Sequence, residues 1–225
     1  MHAHTDDAPR QTAGYPIFLN LEGRRVVVIG GGSVAERKAA TLLTAGAQVV
    51  VVSPELTDQL AQQANAGAIE WIARPYKEVD LSGACLAFCA CGVPQVDAAV
   101  HAEALRVNCL LNVVDVPAEC DFYVPSIVRR GKRGIAISTS GSACAVTKSI
   151  RKQLESEFDE SWEAYLDLMQ ELRSMVKTRI PGDDSLRKPV FEAAARAGWR
   201  ERLAQGEIIS VEDAYAEALR ASQGE

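Results

Sequence analysis

Residues 26 to 35, VVVIGGGSVA, constrain this chain more than any other stretch: four apolar residues run into three consecutive glycines and then into small residues that open a helix. An apolar run stopped by glycine reads as a buried strand feeding a tight turn. In the spacing G-x-G-x-x-G/A the positions are Gly30, Gly32 and Ala35, and each has its own job in the first βα turn of a dinucleotide-binding fold. Gly30 turns the chain, a side chain at Gly32 would obstruct a pyrophosphate approaching the backbone, and Ala35 lets the helix pack closely on the sheet. The free N–H groups at the helix start then face the phosphates, so a dinucleotide is expected over Gly30, Gly31 and Gly32.

Glycine-rich turns also occur without a ligand, so the flanking pattern matters. Ser33 to Ala45 carries apolar residues at Val34, Ala39, Leu42 and Leu43 and stops at Gly46; Gln48 to Val52 follows as a second strand. NAD-specific folds place an acidic residue at the end of that strand, about 20 residues after the glycines. Here the strand ends in Ser53-Pro54-Glu55. Ser53 offers a hydroxyl, Glu55 stands slightly late, and no arginine is present there for a 2′-phosphate, which favours NAD over NADP.

Helix-like Glu55 to Asn65, strand-like Ala68 to Ala73 and Leu86 to Cys91, a helix from Pro94 to Arg106 and a strand from Cys109 to Val114 continue the alternation. Such β-α repetition predicts a Rossmann-type parallel sheet with helices on both faces. Asp115 directly follows the last apolar run, where these sheets deliver residues to the ligand crevice, and is a candidate for proton chemistry. After it the pattern changes. Phe122 to Arg129 and Gly134 to Ser140 read as two strands joined by Arg130-Gly131-Lys132-Arg133, and two strands cannot bury both faces alone. They either cap the main sheet or pair with strands of a second copy of the chain, and the second, a homodimer, is the preferred expectation.

The next stretch, STSGSACAVTKSIRKQLESEF, offers hydroxyls at Ser138, Thr139, Ser140 and Ser142 before a helix; these can hold an anion or simply cap the helix. Trp162, Leu166, Met169, Leu172 and Val176 recur at helical spacing, Leu186 to Arg196 and Val211 to Ala221 form further helices, and Ser210 with Asp213 resembles a capping box. The expected organisation is a tail over 1–14, a dinucleotide-binding domain over 15–118, a β-containing dimerisation segment over 119–157 and a small helical domain over 158–225.

A formal charge of −6 argues against a general nucleic-acid binder, so any basic function must be local. No apolar run reaches the roughly 20 residues of a membrane span, and the first residues lack the apolar core of a signal peptide, so a cytoplasmic protein is expected. His2 and His4 read as tail residues. Of six cysteines, Cys85, Cys89 and Cys91 share one apolar run, with Cys109, Cys120 and Cys144 beyond. The spacing is not C-x-x-C, and buried thiols rather than a metal site or disulfides are expected.

YPIFLNLEGRRVVVIGGGSVAERKAATLLTAGAQV, NVVDVPAECDFYVPSIVRRG and IAISTSGSA together resemble the precorrin-2 dehydrogenase family, the N-terminal module of siroheme synthases. The resemblance covers nearly the whole chain from Tyr15. It implies NAD-dependent oxidation of precorrin-2 to sirohydrochlorin by a homodimer. It makes Ser33 and Val34 cofactor contacts, places Pro54 and Glu55 beside the adenosine end, and matches Asp115 to the aspartate proposed as general base. The substrate's carboxylates give a role to Arg129, Arg130, Lys132 and Arg133, although a basic turn can equally be a solvated one. Thr139 is a further candidate substrate contact. Some members also insert iron; here Ser140 and Cys144 stand where the family has glycine and proline, and weak chelation is expected. The rival class is a non-catalytic NAD-sensing module, which has no need of a carboxylate at the crevice. A short-chain dehydrogenase is not supported, because no Tyr-x-x-x-Lys occurs.

Overall fold

The computed structural model describes residues 14–131, 133–139, 143–182 and 184–224, without the Cys144 side chain. Residues 1–13 of the expected tail, Lys132, Ser140 and Ser142 lie outside the described residues.

The alternation read in the first half is present as β1 (Arg25–Ile29), α1 (Ser33–Thr44), β2 (Gln48–Val52), α2 (Asp58–Asn65), β3 (Glu70–Ile72), β4 (Leu86–Cys89), α3 (Pro94–Val107) and β5 (Leu110–Val113). The strands pair in parallel, in the order β3-β2-β1-β4-β5. Strand order therefore reverses between β1 and β4, which is where sheets of this kind open a crevice at their carboxyl edge.

Both faces of the sheet are covered, which explains why its strands are apolar at successive positions rather than alternating. Val26, Val28, Val49, Val51, Leu86 and Phe88 face α1 and α2 through Ala35, Ala39, Leu42 and Leu60. The intervening Val27, Ile29, Val50, Val52, Ala87 and Leu111 face α3 through Val100 and Ala104. Fully burying one such aliphatic side chain contributes roughly 1.5–3 kcal/mol, so a charge at Val27 or Val51 would undo the sheet.

Element boundaries differ from expectation where the chain has another engagement. α2 begins at Asp58 rather than Glu55, because residues before it lie against the glycine turn and Thr57 is the N-cap, accepting from the Leu60 N–H at 3.3 Å. β3 is three residues long, and its Trp71 donates from Nε1 to the Ser53 carbonyl at 2.9 Å.

The chain divides into two compact units, the first running to Val124 and the second comprising Pro125–Thr139 and Ala143–Glu225. In the second, β6 (Ser126–Arg130) and β7 (Arg133–Ile137) form an antiparallel hairpin, followed by α4 (Cys144–Glu157), α5 (Ser161–Arg179), α6 (Asp184–Arg196), α7 (Trp199–Ala204) and α8 (Val211–Gln223). A lone hairpin is marginal in water; here Arg130 donates to the Asp159 carbonyl at 2.9 Å and the Glu155 carbonyl at 2.8 Å, and Arg133 to Asp167 at 2.5 Å and Gln170 at 2.7 Å.

The helices close over Leu168, Leu172, Val176, Val190, Ala194, Trp199, Ala214 and Ala218. Of the expected α5 stripe, Leu172 and Val176 are buried and Met169 packs against them; Leu168, which was not expected, completes the buried row, and Trp162 packs beside Phe158 and Tyr165. The sequence reading missed α7, whose six residues are too few to display a helical period. Ser210 caps α8 as expected, accepting from the Asp213 N–H at 3.1 Å.

Candidate active site

The sheet register sets Ile29, Cys89 and Val113 in one row across β1, β4 and β5, each the last residue of its strand. Gly30 follows the first of them and Asp115 stands just beyond the third. Two strand spacings, about 10 Å, separate those strand ends. Both features therefore lie on the carboxyl edge that a doubly wound sheet presents to ligands.

The three glycines are there for different reasons. Gly30 has φ +119°, and a Cβ on it would stand 2.6 Å from the Ala90 carbonyl oxygen. Gly31 is forced by packing: a Cβ there would meet the Glu55 carbonyl oxygen at 1.9 Å and Ser53 Oγ at 2.7 Å. Gly32 has φ −85° and ψ −174°, open to any residue, and a Cβ on it would meet no atom within 4 Å. The protein's own packing does not require glycine at position 32. The space beside it lies at the start of α1, where no side chain caps the backbone N–H groups. A pyrophosphate suits that arrangement, because the helix start offers donors and a partial positive charge while the missing Cβ leaves room for close approach.

Ser53, Pro54 and Glu55 are brought to the same turn. The Thr57 N–H donates to the Gly31 carbonyl at 2.9 Å, and Thr57 Oγ1 bonds Glu36 Oε2 on α1 at 2.5 Å, so loop and helix grip the glycines from both sides. The sequence reading overlooked Thr57 and Glu36; a threonine directly before an acidic first turn was the available signal. Ser53 is buried, whereas Pro54, Glu55, Gly32 and Ser33 are exposed and Val34 is half-buried.

Asp115 is exposed, with φ +63°, in a turn closed by the Val116 N–H on the Val113 carbonyl at 3.3 Å. Aspartate tolerates that left-handed conformation better than most residues. The neighbouring Val114 N–H donates to the Cys89 carbonyl at 2.9 Å, fixing the turn against β4. Two features of this region were not anticipated. Lys38 on α1 sits with Nζ 5.1 Å from the Phe88 ring centre, and burial, helped by Arg37, lowers its pKa. Cys89 and Cys91 both approach Asp97 on α3, and burial first of all pushes both thiols above their ordinary range.

The remaining candidates belong to the second unit. Arg130 and Arg133 are engaged by α4, α5 and the segment joining them, and Arg129 is exposed. Thr139 Oγ1 accepts from the Ala143 N–H at 3.1 Å, next to the start of α4.

Residues 17–126 match the model of a family described as "Putative NAD(P)-binding". Siroheme synthase 3 of Aeromonas hydrophila subsp. hydrophila is 39% identical over 165 residues, which are 73% of this chain and 35% of that protein. The siroheme synthase of Photorhabdus laumondii subsp. laumondii is 35% identical over 212 residues, 93% of this chain and 45% of that one. The chain thus spans less than half the length of these relatives. A solved structure, that of SirC, precorrin-2 dehydrogenase, superposes with a TM-score of 0.73 at 24% identity, covering 94% of this chain and 100% of that one. That likeness establishes the shared fold. Among the described residues no helix is long and apolar enough to cross a membrane.

Proposed function

We propose that this chain, which is similar to the siroheme synthases over most of its own length, oxidises precorrin-2 to sirohydrochlorin in siroheme biosynthesis, with NAD as the hydride acceptor. The observation that carries the proposal is the pairing of the uncapped helix start at Gly32, where a Cβ would meet no atom of the protein, with a carboxylate, Asp115, on the same sheet edge.

When bound, the nicotinamide supplies a two-electron acceptor. The protein's part is to hold it and to remove a proton. Backbone N–H groups of Gly32, Ser33 and Val34 hold the pyrophosphate, Gly30 and Gly31 shape the turn, and Ser53, Pro54 and Glu55 flank the adenosine. Loss of hydride from the tetrapyrrole leaves a cation that must shed a proton, and the Asp115 side chain accepts it. NAD rather than NADP follows from Glu55 and the absence of an arginine from residues 53–57, where a 2′-phosphate would need one.

Arg129, whose guanidinium has no hydrogen bond or ion pair among the described residues, and Lys132 are the substrate-binding candidates of the basic turn, because precorrin-2 carries many carboxylates; Arg130, Arg133 and Thr139 contribute through the shape of the hairpin. The 119–157 segment joins two copies into a homodimer that works in the cytoplasm, between a dinucleotide domain over 15–118 and helices over 158–225. Chelation is weak, since Ser140 and Cys144 replace the family's glycine and proline. A parallel calorimetric titration tests the cofactor assignment. NAD⁺ binds at least about tenfold more tightly than NADP⁺, a difference of about 1.4 kcal/mol; equal affinities contradict it.

A further inference from the structure

We propose that Cys89, Cys91 and Asp97 form a binding site for one divalent transition-metal ion of intermediate softness, of the class of Zn²⁺, Co²⁺ or Fe²⁺. Cys89 ends β4 and Cys91 lies two residues on, so the extended backbone sends both side chains to the face that α3 covers. Pro94 starts α3, and Asp97 projects from its first turn toward them. The three potential ligand atoms lie within 4.8 Å of one another.

Their separations have the dimensions of a metal site. Around a tetrahedral ion with metal–sulfur bonds of about 2.3 Å and metal–oxygen bonds of about 2.0 Å, two sulfurs stand about 3.8 Å apart and a sulfur and an oxygen about 3.5 Å apart. Cys89 Sγ and Cys91 Sγ are 3.8 Å apart, and Cys91 Sγ is 3.5 Å from Asp97 Oδ1. The third edge, Cys89 Sγ to Asp97 Oδ1, is 3.1 Å, short of the tetrahedral edge by about 0.4 Å, which a small rotation of either side chain supplies.

The chemistry of the pocket also asks for a cation. Asp97 is 8% exposed, Cys89 1%, and among the described residues no Lys, Arg or His forms an ion pair with Asp97. Two S–H groups on one oxygen are weak donors, a poor substitute for the water a carboxylate gives up on burial. A divalent ion would release the two thiol protons to solvent and offset two of the three negative charges that the thiolates and the carboxylate then carry. Cys91 is half-exposed, so an ion has a way in, and a fourth coordination position stays open for water or an added ligand. Two sulfurs and one oxygen select against Mg²⁺ and Ca²⁺.

Titrating the whole chain with Co²⁺, in a thiol-free reductant, tests this. One equivalent of Co²⁺ should give the thiolate-to-cobalt charge-transfer band and the visible bands of a tetrahedral ion, and Zn²⁺ should abolish both. Cys91→Ser and Asp97→Asn should each weaken binding by more than about tenfold, since even outer-contact losses cost 10- to 100-fold, while Cys85→Ser binds like the parent. In the unaltered protein, Zn²⁺ should protect Cys91 from iodoacetamide, read by peptide mass spectrometry, so the test does not depend on a variant folding. Absence of the charge-transfer band with excess Co²⁺, or bands that survive both ligand substitutions, overturns the site.

Discussion

The carbonyl oxygen of Glu55 lies so close to Gly31 that a Cβ built on this glycine would stand 1.9 Å from it. The loop that follows β2 is therefore seated directly on the glycine turn, and the fold requires glycine at position 31 but not at position 32. Gly31→Ala should cost about 1–3 kcal/mol, the usual range for overpacking against backbone. Gly32→Asp should melt like the parent and lose NAD⁺ binding, because it sets bulk and negative charge where the pyrophosphate would lie. Thermal melts and calorimetry on both variants check this, and parental NAD⁺ affinity in Gly32→Asp would remove the cofactor from that turn.

Val79 holds φ +90° with its side chain 66% exposed. A β-branched residue is strained there, and its N–H is kept in place by Glu103 Oε1 at 2.8 Å, a carboxylate that also accepts from the Tyr76 hydroxyl. Val79→Gly should raise stability by about 0.5–1 kcal/mol, the relief of strain outweighing glycine's extra freedom in the unfolded chain. The urea midpoint reports the change; a lower midpoint means that the conformation is not strained.

For Asp80, burial alone would raise the carboxyl pKa, but the Arg74 guanidinium at 2.6 and 2.8 Å and the Lys77 N–H at 2.8 Å hold it below the ordinary value. A depressed folded pKa means that the group stabilises the fold above the unfolded-state value of about 3.9 and stops doing so as pH falls through the lower folded value. Asp80→Asn should accordingly be less stable than the parent at pH 7, with a gap that closes below about pH 4. Melting temperatures measured from pH 7 to pH 3 decide it, and a constant gap assigns the effect to something other than charge.

The hairpin motivates an assembly prediction. Among the described residues β6 and β7 pair only with each other, so their outer edges are open to strands of a second copy. Sedimentation velocity at micromolar concentration should give a dimer. A monomer would leave the hairpin's role in assembly without support.

The first half of the chain was the more legible in sequence, for a physical reason. Strands buried on both faces leave continuous runs such as Val49 to Val52, and glycines at Gly46 and Gly67 mark the ends of α1 and α2. What escaped detection depended on contacts between distant residues. Nothing local distinguishes Gly31, required by Glu55, from Gly32, which the fold leaves free. Cys89 and Cys91 looked like small core residues because their partner, Asp97, arrives from the next helix. In the helical unit, Trp199 resembles a surface residue of a short loop until α7 folds it into the core.

The most direct test of the central claim is the turnover of precorrin-2 with NAD⁺, followed anaerobically by the absorbance of sirohydrochlorin, for the parent and for Asp115→Asn side by side. Asparagine tolerates the left-handed turn at φ +63° but cannot take a proton at neutral pH, so the fold and NAD⁺ affinity should be unchanged. Rapid oxidation by the parent is expected, with a rate about 10²- to 10⁴-fold lower in the variant, roughly 3–5 kcal/mol of barrier. A parent that forms no sirohydrochlorin contradicts the proposed activity, and near-parental turnover by Asp115→Asn contradicts the assignment of Asp115 as the base.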